Sequence, residues 1–195
     1  MKFWTGAIAL MLVASGALGR GWNPNEKQEA QQSAQSRAQA SDEAILLFKA
    51  ADPSLQVFFD KAAGYAVFPS VGKGAFGLGG ARGKGKVYER GVVVGDTTMT
   101  QFTVGFQAGG KRYRQIIFFR DQTALDLFKS GKFAMSAEAT AIAAAANAGR
   151  SAAYNEGVAI FTMGITGLMF EASIGGQKFS FVPQLGAEAA TAQSE

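Results

Sequence analysis

Gly72, Gly74, Gly77, Gly79, Gly80, Gly83 and Gly85 crowd one short stretch of the chain, interleaved with Ala75, Phe76 and Leu78. Each glycine inside a helix costs about 1 kcal/mol relative to alanine, so no helix survives that density. Extended strands tolerate it, with the glycines marking bulges, bends or places where another backbone comes close. The flanking sequence supports strands. Thr98, Thr100, Phe102, Val104 and Phe106 alternate with Met99, Gln101, Thr103 and Gly105 in period two. The pattern predicts a strand over 87–94, a turn at Gly95-Asp96, a strand over 98–106 and a hairpin turn at Gly109-Gly110 leading into 113–119. Further strands are expected at 158–163, 168–174 and 178–182, separated by Gly164, Gly167 and Gly175-Gly176.

Helices are expected only around this sheet. Residues 23–40 are polar and repetitive and read as a flexible leader or a frayed helix. Ser41 stands as an N-cap, with Asp42 and Glu43 in the first turn and Ala44, Leu47 and Phe48 on one face to about Ala51. Asp52-Pro53 reads as an N-cap followed by proline at the first helical position. Leu55, Phe58, Phe59 and Ala62 then repeat at helical spacing as far as Gly64. Asp121 caps a further short helix carrying Ala124, Leu125 and Phe128 and closed by Gly131. Residues 133–148 are alanine-rich. Propensity favours helix there, while the alternation of Phe133, Met135, Ala137 and Ala139 also suits a strand. The fold class is α+β: a glycine-rich antiparallel sheet able to curl toward a barrel, with short helices packed on it.

With 195 residues, 48% of them apolar, the chain has material for one domain. Met1 and Lys2 precede an apolar run from Phe3, and Ser15, Gly16, Ala17, Leu18 and Gly19 supply small residues for a signal peptidase. This is the layout of an export signal over 1–19. An uncleaved anchor is the competing reading, but the run is shorter than the roughly 20 residues a spanning helix needs. The expected organisation is a signal (1–19), a polar leader (20–40), a domain (41–183) and a polar tail (184–195). Export makes the protein periplasmic or secreted. There is no cysteine and no histidine, which removes disulfides, a lipidated cysteine, the commonest general base and the preferred zinc ligands. No spacing of Asp, Glu, Ser, Lys and Tyr suggests a catalytic group. A carboxylate hydrolase built on Asp96 or Glu138 is the weakest reading. The chain is expected to be a binding protein rather than an enzyme, without metal or cofactor.

A formal net charge of +4 and a pI near 9.4 favour anionic partners. Export ranks nucleic acid last among them. Lys73, Arg82, Lys84, Lys86, Arg90, Lys111, Arg112 and Arg114 lie between Gly72 and Arg114, against Glu89 and Asp96. The candidate binding residues are Lys73, Arg82, Lys84, Lys86, Lys111, Arg112 and Arg114. Arg82-Gly83-Lys84-Gly85-Lys86 is the sharpest part, because glycines between cations can turn backbone N–H groups toward a phosphate. It does not have the spacing of a Walker loop. The plainer alternative is a solvated sheet edge whose cations discourage aggregation. The run Ile45-Leu46-Leu47-Phe48 is either core or a surface that inserts into a membrane interface. Arg150 beside small residues reads as structural.

Several ordered motifs resemble the SYLF family, also called Ysc84 or DUF500. They are AGYAVFPSVGKGAFGLGGARGKGKVYERG (63–91), VGFQAGGKRYRQIIFF (104–119), the helix ending FKSGKF, the alanine-rich ANAGRSA, and GLMFEASIGGQKF (167–179). The resemblance implies a lipid-binding module that recognises acidic membrane lipids, phosphoinositides in eukaryotic members, some of which also bind actin. It also implies a strand over 133–143. Thr166 replaces the family's basic residue and Ala148 its proline, departures that bear on phosphoinositide specificity. The expected partner is an anionic phospholipid surface. The alternative is a structural envelope protein that binds protein partners.

Overall fold

The computed structural model describes residues 25–184, apart from residues 77, 105–108, 136–141, 144–147 and 166–175. The proposed export signal and nearly all of the proposed tail lie outside the described residues, as does the strand expected at 168–174.

Strands β1 (Gly64–Phe76), β2 (Leu78–Glu89), β3 (Val92–Val104), β4 (Gly109–Phe119), β5 (Ala134–Met135), β6 (Ile142–Ala143), β7 (Val158–Gly164) and β8 (Gln177–Pro183) form one sheet. Its order is β5-β8-β3-β2-β1-β4-β7-β6. All neighbours are antiparallel except β6 with β7. Pro69 sits in central β1, where it can donate to neither ladder. Both ladders shift register there, between Val67 and Ser70 on one side and between Phe68 and Val71 on the other.

The sheet is strongly curled. Gln177 on β8 and Gln115 on β4 lie four strand spacings apart, about 19 Å in a flat sheet, yet their side chains hydrogen-bond at 3.1 Å. Met135 and Ile142 occupy opposite edges although the chain between them reaches at most about 25 Å. Among the described residues the ladder stays open, since β5 and β6 do not pair with each other. The class is α+β, as expected.

Two cores result. The concave face buries Ala66, Phe68, Val71, Met99, Ile117 and Phe119. Helix α3 (Gln122–Lys129) packs on it, with Phe128 against Phe119 at 4.8 Å and Phe179 at 5.1 Å between ring centroids. The convex face buries Tyr65, Val67, Tyr88, Ile116, Phe118 and Phe161. It lies beneath α1 (Glu26–Ala51), the 3-10 turn Pro53–Leu55 and α2 (Gln56–Lys61). The four-residue helix α4 (Ala148–Ser151) packs against that turn.

Several boundaries differ from those expected. Helix α1 starts at Glu26 and is continuous through the supposed leader, whose Gln, Ala, Glu, Lys and Arg residues are good helix formers. Ser41 is therefore interior. It is fully buried and its Oγ donates to the Arg37 carbonyl at 2.9 Å, the back-bond available to a mid-helix serine. The β2–β3 turn is at Arg90-Gly91, with φ of 51° and 81°, the doubly positive pair of a type I′ turn. Gly95-Asp96 lies within β3. Gly109 and Gly110 belong to β4, paired with Ala75 and Gly74; the connection before them lies outside the described residues. Parts of 133–148 are strand (β5, β6), followed by α4. The caps at Asp52 and Asp121 are present, accepting from Ser54 N and Ala124 N at 3.0 Å each.

Candidate functional site

Strands β1, β2 and β4 run side by side through the centre of the sheet, so their cations are not at an edge. Gly72 pairs with Arg82 on one side and Arg112 on the other. Alternation therefore sets Thr100, Arg82, Gly72 and Arg112 in one row on the convex face. The next row holds Thr98, Lys84, Ser70 and, opposite the bulge, Arg114. Arg82, Lys84 and Arg112 are exposed and Arg114 is half-buried. A Cβ placed on Gly72 or Gly74 would meet nothing within 4 Å, so among the described residues no layer packs over these two positions. Glycine between the arginines leaves two cations about 10 Å apart with no side chain standing between them. No acidic residue occupies these two rows.

Lys86 falls in the row beneath, and its place there removes it from the surface. It is 4% exposed, with its Nζ 3.0 Å from Asp96 Oδ1, while Arg37 of α1 reaches the same carboxylate at 3.7 Å. Its charge is already matched. The phosphate cradle expected of the 82–86 segment is also absent. Those residues form an interior strand whose backbone is paired to β1 and β3. Gly83 and Gly85 serve close approach instead: a Cβ on Gly85 would fall on the Val67 carbonyl and, at 2.9 Å, on the Phe68 ring.

Lys73 and Lys111 pair with each other across β1 and β4. By alternation Lys73 shares the concave face with Val71, so it stands apart from the rows of Arg82 and Lys84. Beyond it the concave face is polar. Gln177 Nε2 donates to Gln101 Oε1 at 3.1 Å and to Gln115 Oε1 at 3.3 Å, and Tyr113 Oη to Gln101 at 3.5 Å. All four residues are buried. Burial pushes the Tyr113 hydroxyl far above the usual tyrosine range. Burial does the same to Tyr88, helped by a hydrogen bond of its hydroxyl to Asp42 at 3.0 Å that ties α1 to β2. The Ile45–Phe48 run divides: Phe48 is fully buried, Leu46 is 67% exposed.

A second concavity escaped sequence reasoning. A cleft of about 410 Å3 between α2 and the chain after α4 is lined by Ser54, Phe58, Lys61, Arg150 and Tyr154 among others. Those residues are nearly a hundred positions apart in the chain, and the one sequence signal was Gly149-Arg150. Among the described residues no group of three or more acidic side chains gathers to hold a metal. No helix among them is long and apolar enough to cross a membrane.

Residues 100–188 match the family described as Ysc84, Las17-binding protein actin regulator. Over 159 residues the chain is 35% identical to "Beta cell expansion factor A" of Aeromonas veronii, a match covering 80% of this chain and 59% of that protein. The chain thus spans less than two thirds of that relative.

Proposed function

The chain carries a Ysc84-family domain over residues 100–188, and on that premise we propose that it binds anionic phospholipid surfaces through the two convex rows of Arg82, Lys84, Arg112 and Arg114. The observation that carries this is a patch of cations on central strands with no acidic residue of the described chain in its two rows. A sheet edge would explain cations as protection against strand addition; a sheet face gives them no such task. Backbone pairing holds the patch rigid, so few degrees of freedom are lost when it meets a flat charged surface. Each cation near such a surface contributes about 1 kcal/mol before screening. The export signal read in residues 1–19 would deliver the domain to a periplasmic or extracellular membrane face.

Vesicle co-sedimentation tests the reading. Binding is expected to phosphatidylglycerol-containing vesicles, to weaken steeply with salt, and to fall at least about tenfold in Arg82→Gln/Lys84→Gln/Arg112→Gln/Arg114→Gln. Lys86 is left intact because it is buried and paired with Asp96. Equal, salt-insensitive binding to zwitterionic and anionic vesicles would overturn the proposal. The family's description names a protein partner. A stoichiometric envelope protein captured while vesicles fail would move the function to protein binding.

A further inference from the structure

The cleft between α2 and the chain after α4 lies on the convex side near the start of β1, at the opposite end of that strand from the basic rows. Its shape is fixed by one buried carboxylate. Asp52, fully buried, accepts from Ser54 N at 3.0 Å, Ser54 Oγ at 2.6 Å and Gly149 N at 2.7 Å. That clamp joins segments 97 positions apart. Only glycine fits at 149, since a Cβ there would meet Ser54 Oγ at 2.7 Å and the Leu55 side chain at 3.1 Å. Arg150 follows directly, so its backbone is fixed while its side chain is exposed.

The wall is aromatic: Phe58 and Tyr154 pack as tilted rings 5.4 Å apart between centroids, with Phe118 and Phe161 behind Phe58 at 5.4 and 5.2 Å. Exposed Val57 extends this apolar surface. Lys61 and Arg150 stand at the rim, both exposed, with no carboxylate of the described residues within 4.0 Å of either. Asp52, beneath the rim, is turned onto Ser54 and Gly149. In the cleft wall the Tyr154 hydroxyl is shut off from solvent without a hydrogen-bond partner, a donor that normally finds an acceptor when buried. The volume, about 410 Å3, lies within the roughly 300–1,000 Å3 of small-molecule sites, whose make-up is likewise an apolar wall with a few placed polar groups.

We infer that this cleft binds a single-chain anionic amphiphile, its acidic head between Lys61 and Arg150 and its first methylenes against Val57 and Phe58. The inference goes beyond the sheet surface proposed above and does not depend on it. The head chemistry is shared by a free fatty acid and by a lysophospholipid.

The test is a titration of the full chain with decanoate below its micellar range, followed by amide chemical shifts and calorimetry, with decanol and inorganic phosphate as controls. Shifts are expected at Lys61, Gly149 and Arg150, with decanol and phosphate each binding at least about tenfold more weakly than decanoate, since neither alone supplies both contacts. A single-chain phosphate monoester of equal length distinguishes a phospholipid head from a carboxylate; tighter binding of either one supports the cleft and names its head. Lys61→Gln/Arg150→Gln, at exposed positions where the melting temperature should not move, is expected to weaken decanoate at least tenfold. Equal binding of decanol, unchanged affinity in that double variant, or shifts confined to Arg82, Lys84 and Arg112 would overturn the inference. Loss of vesicle binding in the four-residue variant with decanoate binding intact would show the two sites to be separate.

Discussion

The same three strands, β1, β2 and β4, make two different ends of one sheet. At the end holding Gly64–Phe68, Tyr88 and Ile116–Phe119, every one of those residues is buried and both faces are covered, by α3 on the concave side and by α1 and α2 on the convex side. At the other end, past the Pro69 bulge, the ladders resume through Gly72↔Arg82 and Gly72↔Arg112, but among the described residues nothing stands over Gly72 on the convex face. Backbone pairing is alike at the two ends; side-chain burial is not. The difference assigns stability to the first end and leaves the second free to meet a partner. Substitutions along a single strand should therefore fall into two classes.

The largest expected contrast is on β4. Phe118 is fully buried among Phe58, Phe59, Tyr65 and Phe161, so Phe118→Ala should cost about 3–5 kcal/mol in urea unfolding. Arg112→Gln, six positions back on the same strand, should stay within about 0.5 kcal/mol. Similar losses at both positions would end the distinction.

Glycine gives a finer version on neighbouring strands. Gly85→Ala pushes a methyl into the Val67 carbonyl and the Phe68 ring, an overpacking expected to cost about 1–3 kcal/mol. Gly72→Ala adds a methyl to open space and should be neutral or stabilising by up to about 1 kcal/mol, since glycine is entropically unfavourable inside a strand. Thermal melts of the two variants side by side decide it. Opposite signs are the result that fits.

Those two glycines also show what was legible in the sequence. Their density excludes helix and points to a sheet, and the period-two run expected over 98–106 is strand as far as Val104, where the described residues break off. Nothing local distinguished Gly72, beneath open space, from Gly85, beneath a phenyl ring, because that depends on which strand curls over which. The basic residues were visible as composition, and four of them do share a face. Lys86 looked the same in sequence but is buried against Asp96, a carboxylate that Arg37 also reaches because the residues read as a flexible leader or a frayed helix form a continuous one. Alternation alone could not give the Pro69 bulge, which shifts register in both ladders. The cleft was least legible, since Asp52, Lys61 and Arg150 meet only in the folded chain.

The smallest expected effect concerns the cover of the concave end. Asp121 caps α3, and the Ala124 N–H first, then Arg120, hold its carboxyl below the ordinary value of 3.8. A carboxylate whose pKa is lower folded than unfolded contributes stability that is present above its unfolded value. That contribution fades as pH falls through the folded one. Asparagine caps a helix about as well as aspartate without titrating. Asp121→Asn should therefore match the parent protein or fall slightly below it at neutral pH and lose less stability between about pH 5 and 2.5, as read from urea midpoints across that window. Because Leu125 and Phe128 of α3 are fully buried in the concave core, loosening the cap should first expose the amides of α3 and the adjoining strand ends to hydrogen exchange. The bare, basic end should show no pH-dependent change in protection over the same range. If protection fell there as well, the two ends would unfold as one unit and the division between them would be one of surface chemistry alone.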